Sequence, residues 1–346
     1  MIDRRGLIAG ALAAVPMAKL AALAPDRFAP DRFAAVDPEM VAELRRRPEM
    51  TVTAANLDAF RHRRGVAPLR PPPPSPLSAK PPVERIVPGL PGQPAVRTVQ
   101  YDGAPGRKGR GAVVWIHGGG YVSGGASIPG ALAAAAEAHG WLIVSVDYRL
   151  APEARQPQSL ADNYAALRWV HDHAAELGID RTRIAIGGGS AGGGHAAMLA
   201  LAARDRGEVR LAYQVLIYPM LDDRTGSTRA ARPGTGEFIW TPAANRFGWT
   251  ALLGVPAGSA RVPANVVPAR RADLAGLPPA FIGVGTLDLF LDEDLAYAGA
   301  LTAAGVSVDL AVVPGAYHAF DGVAPWARAS QAFTARWIDD LTRALS

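Results

Sequence analysis

The chain has 346 residues, 49% hydrophobic and 19% charged, enough for one large α/β core and a smaller accessory layer. It has no cysteine, which excludes disulfides, thiolate zinc sites and a cysteine nucleophile. The formal net charge is +5, but arginines cluster only at Arg45-Arg46-Arg47 and Arg61-His62-Arg63-Arg64, which read as a solvated helix face. No nucleic-acid motif accompanies them, and no nucleic-acid partner is expected.

The chain begins with Asp3-Arg4-Arg5-Gly6-Leu7-Ile8 and an uncharged, apolar-rich run to Ala18. Twin arginines before such a run resemble a twin-arginine export signal, so residues 1–30 read as an export segment directed to the periplasm. The alternative is an ordinary first helix of a cytoplasmic protein, and Pro25 just after Ala22-Leu23-Ala24 disfavours cleavage there. Lys19 interrupts the run, so no stable membrane span is expected. From Asp37 to Gly65 the pattern is helical, with Met40, Val41, Leu44, Leu57 and Phe60 as its apolar positions. Pro71 to Pro74 and Pro81-Pro82 cannot continue a helix or a central strand, so they read as a connection to the main domain.

Strand and helix signals then alternate. Val113 to Ile116, Leu142 to Val146, Ile184 onward, Tyr213 to Tyr218, Ala280 to Val284 and Val306 to Val313 read as strands. Ala131 to His139 and Ser159 to Leu177 read as helices, and Trp326, Phe333, Trp337 and Leu341 as the apolar side of a closing helix. Near-continuous apolar strands between helices argue for a mostly parallel sheet covered on both faces. The rhythm breaks between Leu221 and Val262, where Phe238, Trp240, Phe247 and Trp249 lie among glycines and prolines. That interval reads as an insertion over the carboxyl ends of the strands, where such folds bind ligands.

Gly188 and Gly192 bracket Ser190 in the G-x-S-x-G spacing of a nucleophile elbow, between an apolar strand and an alanine-rich helix. The same stretch satisfies G-x-G-x-x-G, but the next strand ends in Pro219 without the ribose-binding carboxylate of a dinucleotide site. A serine hydroxyl needs a base, usually a histidine oriented by a carboxylate. His318 lies in a loop just past the last strand, where a base must stand to meet the elbow. His171 is expected to pack in the core and His173 to be exposed. Asp288 ends a strand between serine and histidine in chain order; Asp147 is the rival acid, and Asp292 and Glu293 read as helix-capping carboxylates. His117-Gly118-Gly119-Gly120 follows the first core strand, where an HGGG loop supplies oxyanion-hole amides.

Together these motifs resemble the hormone-sensitive-lipase-like family of α/β-hydrolases, the bacterial family IV esterases. The resemblance runs from about Val83 to the C-terminus. It includes Asp147-Tyr148-Arg149-Leu150-Ala151-Pro152-Glu153 and Tyr218-Pro219-Met220-Leu221-Asp222-Asp223-Arg224. It implies an α/β-hydrolase fold with Ser190 as nucleophile, Asp288 as acid and His318 as base, and oxyanion donors at the Gly119, Gly120 and Ala191 amides. It also implies a small helical cap built from residues 31–82 and an insertion at about 221–262, on a catalytic domain spanning 83–346. Tyr121, Phe238 and Trp240 are the expected pocket residues. Departures are Gly189 where Asp or Thr is common, which is expected to loosen the elbow, Leu289 where Pro is common, and Ala319 where Gly is common.

The implied activity is a serine carboxylesterase acting on short-chain acyl esters through an acyl-enzyme, without metal or cofactor. An amidase or lactonase with the same triad is the enzymatic alternative, and a non-catalytic ligand-binding homologue the other. The expected partner is a small-molecule ester, with homodimer formation left open.

Overall fold

The structure, a computed structural model, describes residues 31–47, 51–62, 76–263 and 266–346. The twin-arginine run, Arg63-Arg64 and the Pro71–Pro74 tract lie outside the described residues. Residues 35–346 form one compact unit of the chain.

The strands are β1 (Val83–Val87), β2 (Val96–Asp102), β3 (Arg110–Ile116), β4 (Leu142–Val146), β5 (Ile179–Gly189), β6 (Tyr213–Ile217), β7 (Ala280–Gly285) and β8 (Val308–Val313). They pair into one eight-stranded sheet in the order β1-β2-β4-β3-β5-β6-β7-β8. The pairs β1–β2 and β2–β4 are antiparallel and the remainder parallel, so the sheet is mostly parallel. The sheet and its helices form an α/β-hydrolase fold. β1 and β2 escape an apolar-run reading because Val-Glu-Arg-Ile-Val and Val-Arg-Thr-Val-Gln-Tyr-Asp interleave polar residues, exposed in the edge strand β1 but mostly buried in β2, where Thr98 donates to the Arg85 carbonyl.

The helices are α1 (Pro38–Arg45), α2 (Leu57–Arg61), α3 (Gly130–His139), α4 (Gln158–Asp172), α5 (Ala174–Leu177), α6 (Ala191–Arg206), α7 (Pro242–Leu253), α8 (Leu291–Ala303), α9 (Phe320–Val323) and α10 (Arg328–Leu345). Alternate residues of β3 explain the two covered faces. Val114 and Ile116 join the apolar cluster of α4, α6 and α8, whereas Trp115 stacks on Trp337 of α10 at 5.8 Å between ring centroids.

The helix expected from Ser159 to Leu177 is broken at His173 into α4 and α5, and Gly178 closes α5 in the left-handed conformation. His171 is half-buried beside Asp172 rather than in the core, and His173 is half-buried, stacked on Trp169 at 5.1 Å. The Leu221–Val262 interval contains α7, which starts at a Thr241 side-chain cap with Pro242 in the first turn and stops at Gly254. Val52, Leu57 and Phe60 pack into the same apolar cluster as Trp240 and Trp249, so the segments before the sheet and after β6 meet.

Candidate active site

The elbow is built by close packing. A Cβ on Gly188 would come within 2.4 Å of the Ile116 carbonyl oxygen, and one on Gly192 within 2.1 Å of the same atom. Only glycine lets β5 and α6 approach the end of β3 so closely. That approach sets Ser190 beside the loop that follows β3. Ser190 itself has φ 59 and ψ −124, a conformation that L residues seldom adopt and that the surrounding chain must enforce. Its N–H donates to the Ile217 carbonyl at 2.9 Å, and the Met220 N–H donates to its carbonyl at 3.0 Å. A Cβ on Gly189 would stand 3.4 Å from the Tyr218 ring, in ordinary contact, so the elbow has room for a side chain at this position.

The structure brings Ser190, His318 and Asp288 together. His318 Nε2 lies 2.9 Å from Ser190 Oγ, and His318 Nδ1 lies 2.8 Å from Asp288 Oδ2. An ionised carboxylate only accepts, so Nδ1 carries the proton and Nε2 presents its lone pair to the serine hydroxyl. The other Asp288 oxygen accepts the Phe290 N–H at 3.0 Å. All three residues are buried, which strengthens their mutual electrostatics. Ala319, next to His318, has φ 61, a left-handed position that costs an L residue roughly 1–2 kcal/mol.

The remaining acids have other partners. Asp147 receives Arg97 at 3.0 Å and the Ala126 N–H at 3.0 Å. Asp292 stands in the first turn of α8, as expected of a helix-start carboxylate, and also pairs with Arg232 at 2.6 Å. Glu293 is buried and accepts the Leu221 and Asp222 N–H groups at 2.7 and 3.2 Å, so it pins the chain after β6.

Gly119 (φ 120) and Gly120 (φ 62) turn the loop after β3, and the Val122 and Ser123 N–H groups both close onto the Gly119 carbonyl. Among the described residues no hydrogen bond engages the Gly119 and Gly120 N–H groups. Ala191 is the first residue of α6, so its N–H has no partner within the helix. Trp240 lies directly over this loop, since a Cβ on Gly120 would be 2.1 Å from its ring. Its ring centroid is 6.5 Å from that of His318, and its indole N–H donates to Asn245 at 3.2 Å. Phe238 packs edge-on against Tyr317 at 6.1 Å. Tyr121 is a different case. It is fully buried and its hydroxyl donates to the Met220 carbonyl, so it packs beneath the elbow rather than walling an open pocket. Trp249 is likewise core.

Two features escaped the sequence reading. Arg61 does not belong to a solvated face: its Nε donates to the Val122 carbonyl at 2.7 Å and Nη2 to the Ala151 carbonyl at 2.9 Å. It also grips Glu153, so α2 is fastened to the chain just past Gly119 and Gly120. His195 is fully buried against Tyr121 and Tyr148, and neither ring nitrogen has a partner among the described residues. Burial first, then the nearby His117, pushes its pKa down to about 3. Below about pH 6.5 the unfolded chain therefore binds a proton at this residue that the folded chain refuses. Stability contributed by the neutral ring falls as pH drops from 6.5 towards 3, by up to about 1.4 kcal/mol per unit. His195→Leu, of similar bulk, is expected to flatten that part of the stability profile. Urea denaturation between pH 4 and 7 checks this, and parallel slopes for the two proteins would refute it.

A sharp strand–serine–helix turn, a histidine and acid from later strand ends, and free amides after an earlier strand define a serine hydrolase of the α/β type. A family model described as alpha/beta hydrolase fold matches residues 113–322. The chain belongs to this family, among its hormone-sensitive-lipase-like carboxylesterases. The carboxylesterase NlhH of Mycobacterium tuberculosis is 40% identical over 268 residues, covering 72% of this chain and 82% of that protein. The ethyl acetate hydrolase of Pseudomonas putida is 35% identical over 213 residues, covering 60% of this chain and 65% of that protein. The solved structure of a bacterial heroin esterase superposes with a TM-score of 0.78 at 34% identity, covering 91% of this chain and 100% of that one. This chain is a carboxylic ester hydrolase acting on small esters, and no helix among the described residues is long and apolar enough to cross a membrane.

Proposed function

We propose that Ser190, His318 and Asp288 are the catalytic triad of an esterase specific for short acyl chains. The observation that carries the reading is the continuous hydrogen-bonded relay from Ser190 Oγ through His318 to Asp288 beside unengaged glycine amides. Ser190 Oγ attacks the ester carbonyl carbon as His318 Nε2 takes its proton. The carbonyl oxygen gains the negative charge and is received by the Gly119, Gly120 and Ala191 N–H groups, with the positive end of α6 behind them. His318 then gives its proton to the departing alkoxide, leaving an acyl-serine. Water, deprotonated by His318 at the same nitrogen, attacks that ester; collapse releases the carboxylic acid and returns the proton to Ser190. Asp288 keeps the imidazole in the required tautomer and balances the imidazolium at each stage.

The short-chain preference follows from Trp240 standing over Gly120 and near His318, with Phe238 close by. Each methylene that reaches an apolar wall is worth about 0.8 kcal/mol, so efficiency climbs over the first few carbons. Once the acyl chain outgrows the aromatic wall, further carbons clash or return to water. The ethyl acetate hydrolase relative, by its name, acts on a two-carbon acyl group. The expected maximum of kcat/KM over nitrophenyl esters from acetate to palmitate lies at roughly four to eight carbons. No rise is expected when substrate forms droplets. A maximum at palmitate, or activation by droplets, would reject the small pocket, and faster turnover of matched amides or lactones would reassign the reaction.

A further inference from the structure

His318 is held among three aromatic rings. Phe290 meets it edge-on at 5.1 Å and 90°, Tyr218 at 4.9 Å and 65°, and Trp240 lies tilted at 6.5 Å. Phe290 and Trp240 offer only ring surface to the imidazole. Tyr218 differs, because its hydroxyl donates to Asp321 Oδ1 at 2.7 Å.

The placement of that tyrosine is forced. Tyr218 follows β6 with φ 35, a left-handed value unusual for a bulky L residue, and its N–H donates to the Gly283 carbonyl of β7 at 2.6 Å. A left-handed value thus falls on the residue whose ring packs against the histidine, the pattern expected where packing fixes a side chain for use. Asp321 stands on α9, three residues after His318, so the loop that delivers the imidazole delivers this carboxyl too. Burial raises its pKa, while the Tyr218 hydroxyl, the backbone and the charge of protonated His318 lower it.

We infer that Tyr218 and Asp321 form a second positioning pair for His318, additional to Asp288. The phenol ring fixes the plane of the imidazole, and its hydroxyl holds the Asp321 carboxylate close enough to favour the imidazolium that forms during acyl transfer. The inference rests on the triad proposed above. The groups facing His318 are Ser190 from the elbow, Asp288 from the end of β7, Tyr218 from the end of β6 and Asp321 from α9. Asp294 of α8 faces Asp288 in turn, and burial first, then the Glu293 and Asp288 charges, push its pKa well up. Among the described residues no lysine or arginine pairs with Asp288 or Asp321, so Asp321 is not merely one end of an ion pair.

The test is the pH dependence of kcat/KM and kcat for Asp321→Asn and Tyr218→Phe with nitrophenyl butyrate, normalised by titrating Ser190 with a phosphorylating ester. The amide keeps the shape and still accepts from Tyr218 but loses the charge, so the acid limb of kcat/KM moves to lower pH by about half a unit to one unit. A one-unit movement corresponds to tenfold weaker stabilisation of the imidazolium, so kcat falls by up to about tenfold with little change in KM. Tyr218→Phe keeps the ring and removes the donor, which moves the limb in the same direction by less. An unmoved limb and unaltered kcat in a folded variant would overturn the inference while leaving the triad intact. If Asp321→Asn does not fold, Tyr218→Phe decides by the same readout. Loss of the phosphorylation stoichiometry in Ser190→Ala shows separately that the triad reading stands; its retention would sink that reading instead.

Discussion

Ser190→Ala is expected to lower kcat by about a million-fold while leaving the melting temperature close to that of the parent. The size follows from the relay: without Oγ, His318 has no proton to take and no acyl-enzyme forms, so only the oxyanion amides and substrate binding remain. The fold should tolerate the change, because the elbow is fixed by backbone bonds from Ser190 to Ile217 and Met220 and by the packing of Gly188 and Gly192, not by the hydroxyl. Removing the hydroxyl also relieves none of the φ 59 strain, since alanine carries the same Cβ. Stopped-flow and steady-state turnover of nitrophenyl butyrate check the prediction, with circular dichroism to verify folding. A folded variant retaining a tenth of parental turnover would sink the assignment of Ser190.

Much of this site is written in local sequence. The elbow, the HGGG loop and the loop carrying His318 each follow an apolar strand, so chain order alone places them at the carboxyl ends of the strands of a parallel sheet. The central strands are legible for the same reason: Leu142 to Val146 is apolar because both of its faces are covered. What stayed hidden depends on distant partners. Arg61 reads as one member of a basic run until Val122, Ala151 and Glu153 are brought to it from some 60 to 90 residues away. Glu293 looks like a helix-start carboxylate, and only the path of the chain after β6 reveals that it holds the Leu221 and Asp222 amides. Tyr121 sits in the loop that forms the site, so sequence proximity suggests a pocket role. Yet the side chain at a left-handed residue (φ 68) turns under the elbow helix, which a linear reading does not register. The aromatic interval after Leu221 likewise hides α7, although Thr241-Pro242 and Gly254 supply its start and stop signals.

Asp288→Asn is expected to lower kcat by about four orders of magnitude, a loss second only to that of the nucleophile. The carboxylate accepts from His318 Nδ1 at 2.8 Å and from the Phe290 N–H at 3.0 Å, and it is almost fully buried. An amide keeps the shape and can still accept from Phe290 through its oxygen, but the group then facing His318 is an N–H donor. The imidazole must answer with a bare Nδ1, which places its proton on Nε2, where Ser190 needs a base. The imidazolium also loses its counter-charge in a buried setting where that charge counts most. Asp147, the rival acid that the sequence offers, and Asp292, read there as a helix-capping carboxylate, serve as controls. Asp147→Asn loosens the link between Arg97 and the Ala126 turn, and Asp292→Asn releases Arg232 at the surface; neither touches His318. Both variants are therefore expected to keep kcat within a few-fold of the parent when assayed folded and at pH 8. Steady-state kinetics of the three variants across pH 6–10 separate the cases, because the two tautomers of a neutral imidazole carry the same number of protons, so raising the pH does not return a basic Nε2 to Asp288→Asn. Were Asp147→Asn to show the four-decade loss and Asp288→Asn to stay active, the acid of the triad would be Asp147 and the geometry described for His318 would not be the catalytic one.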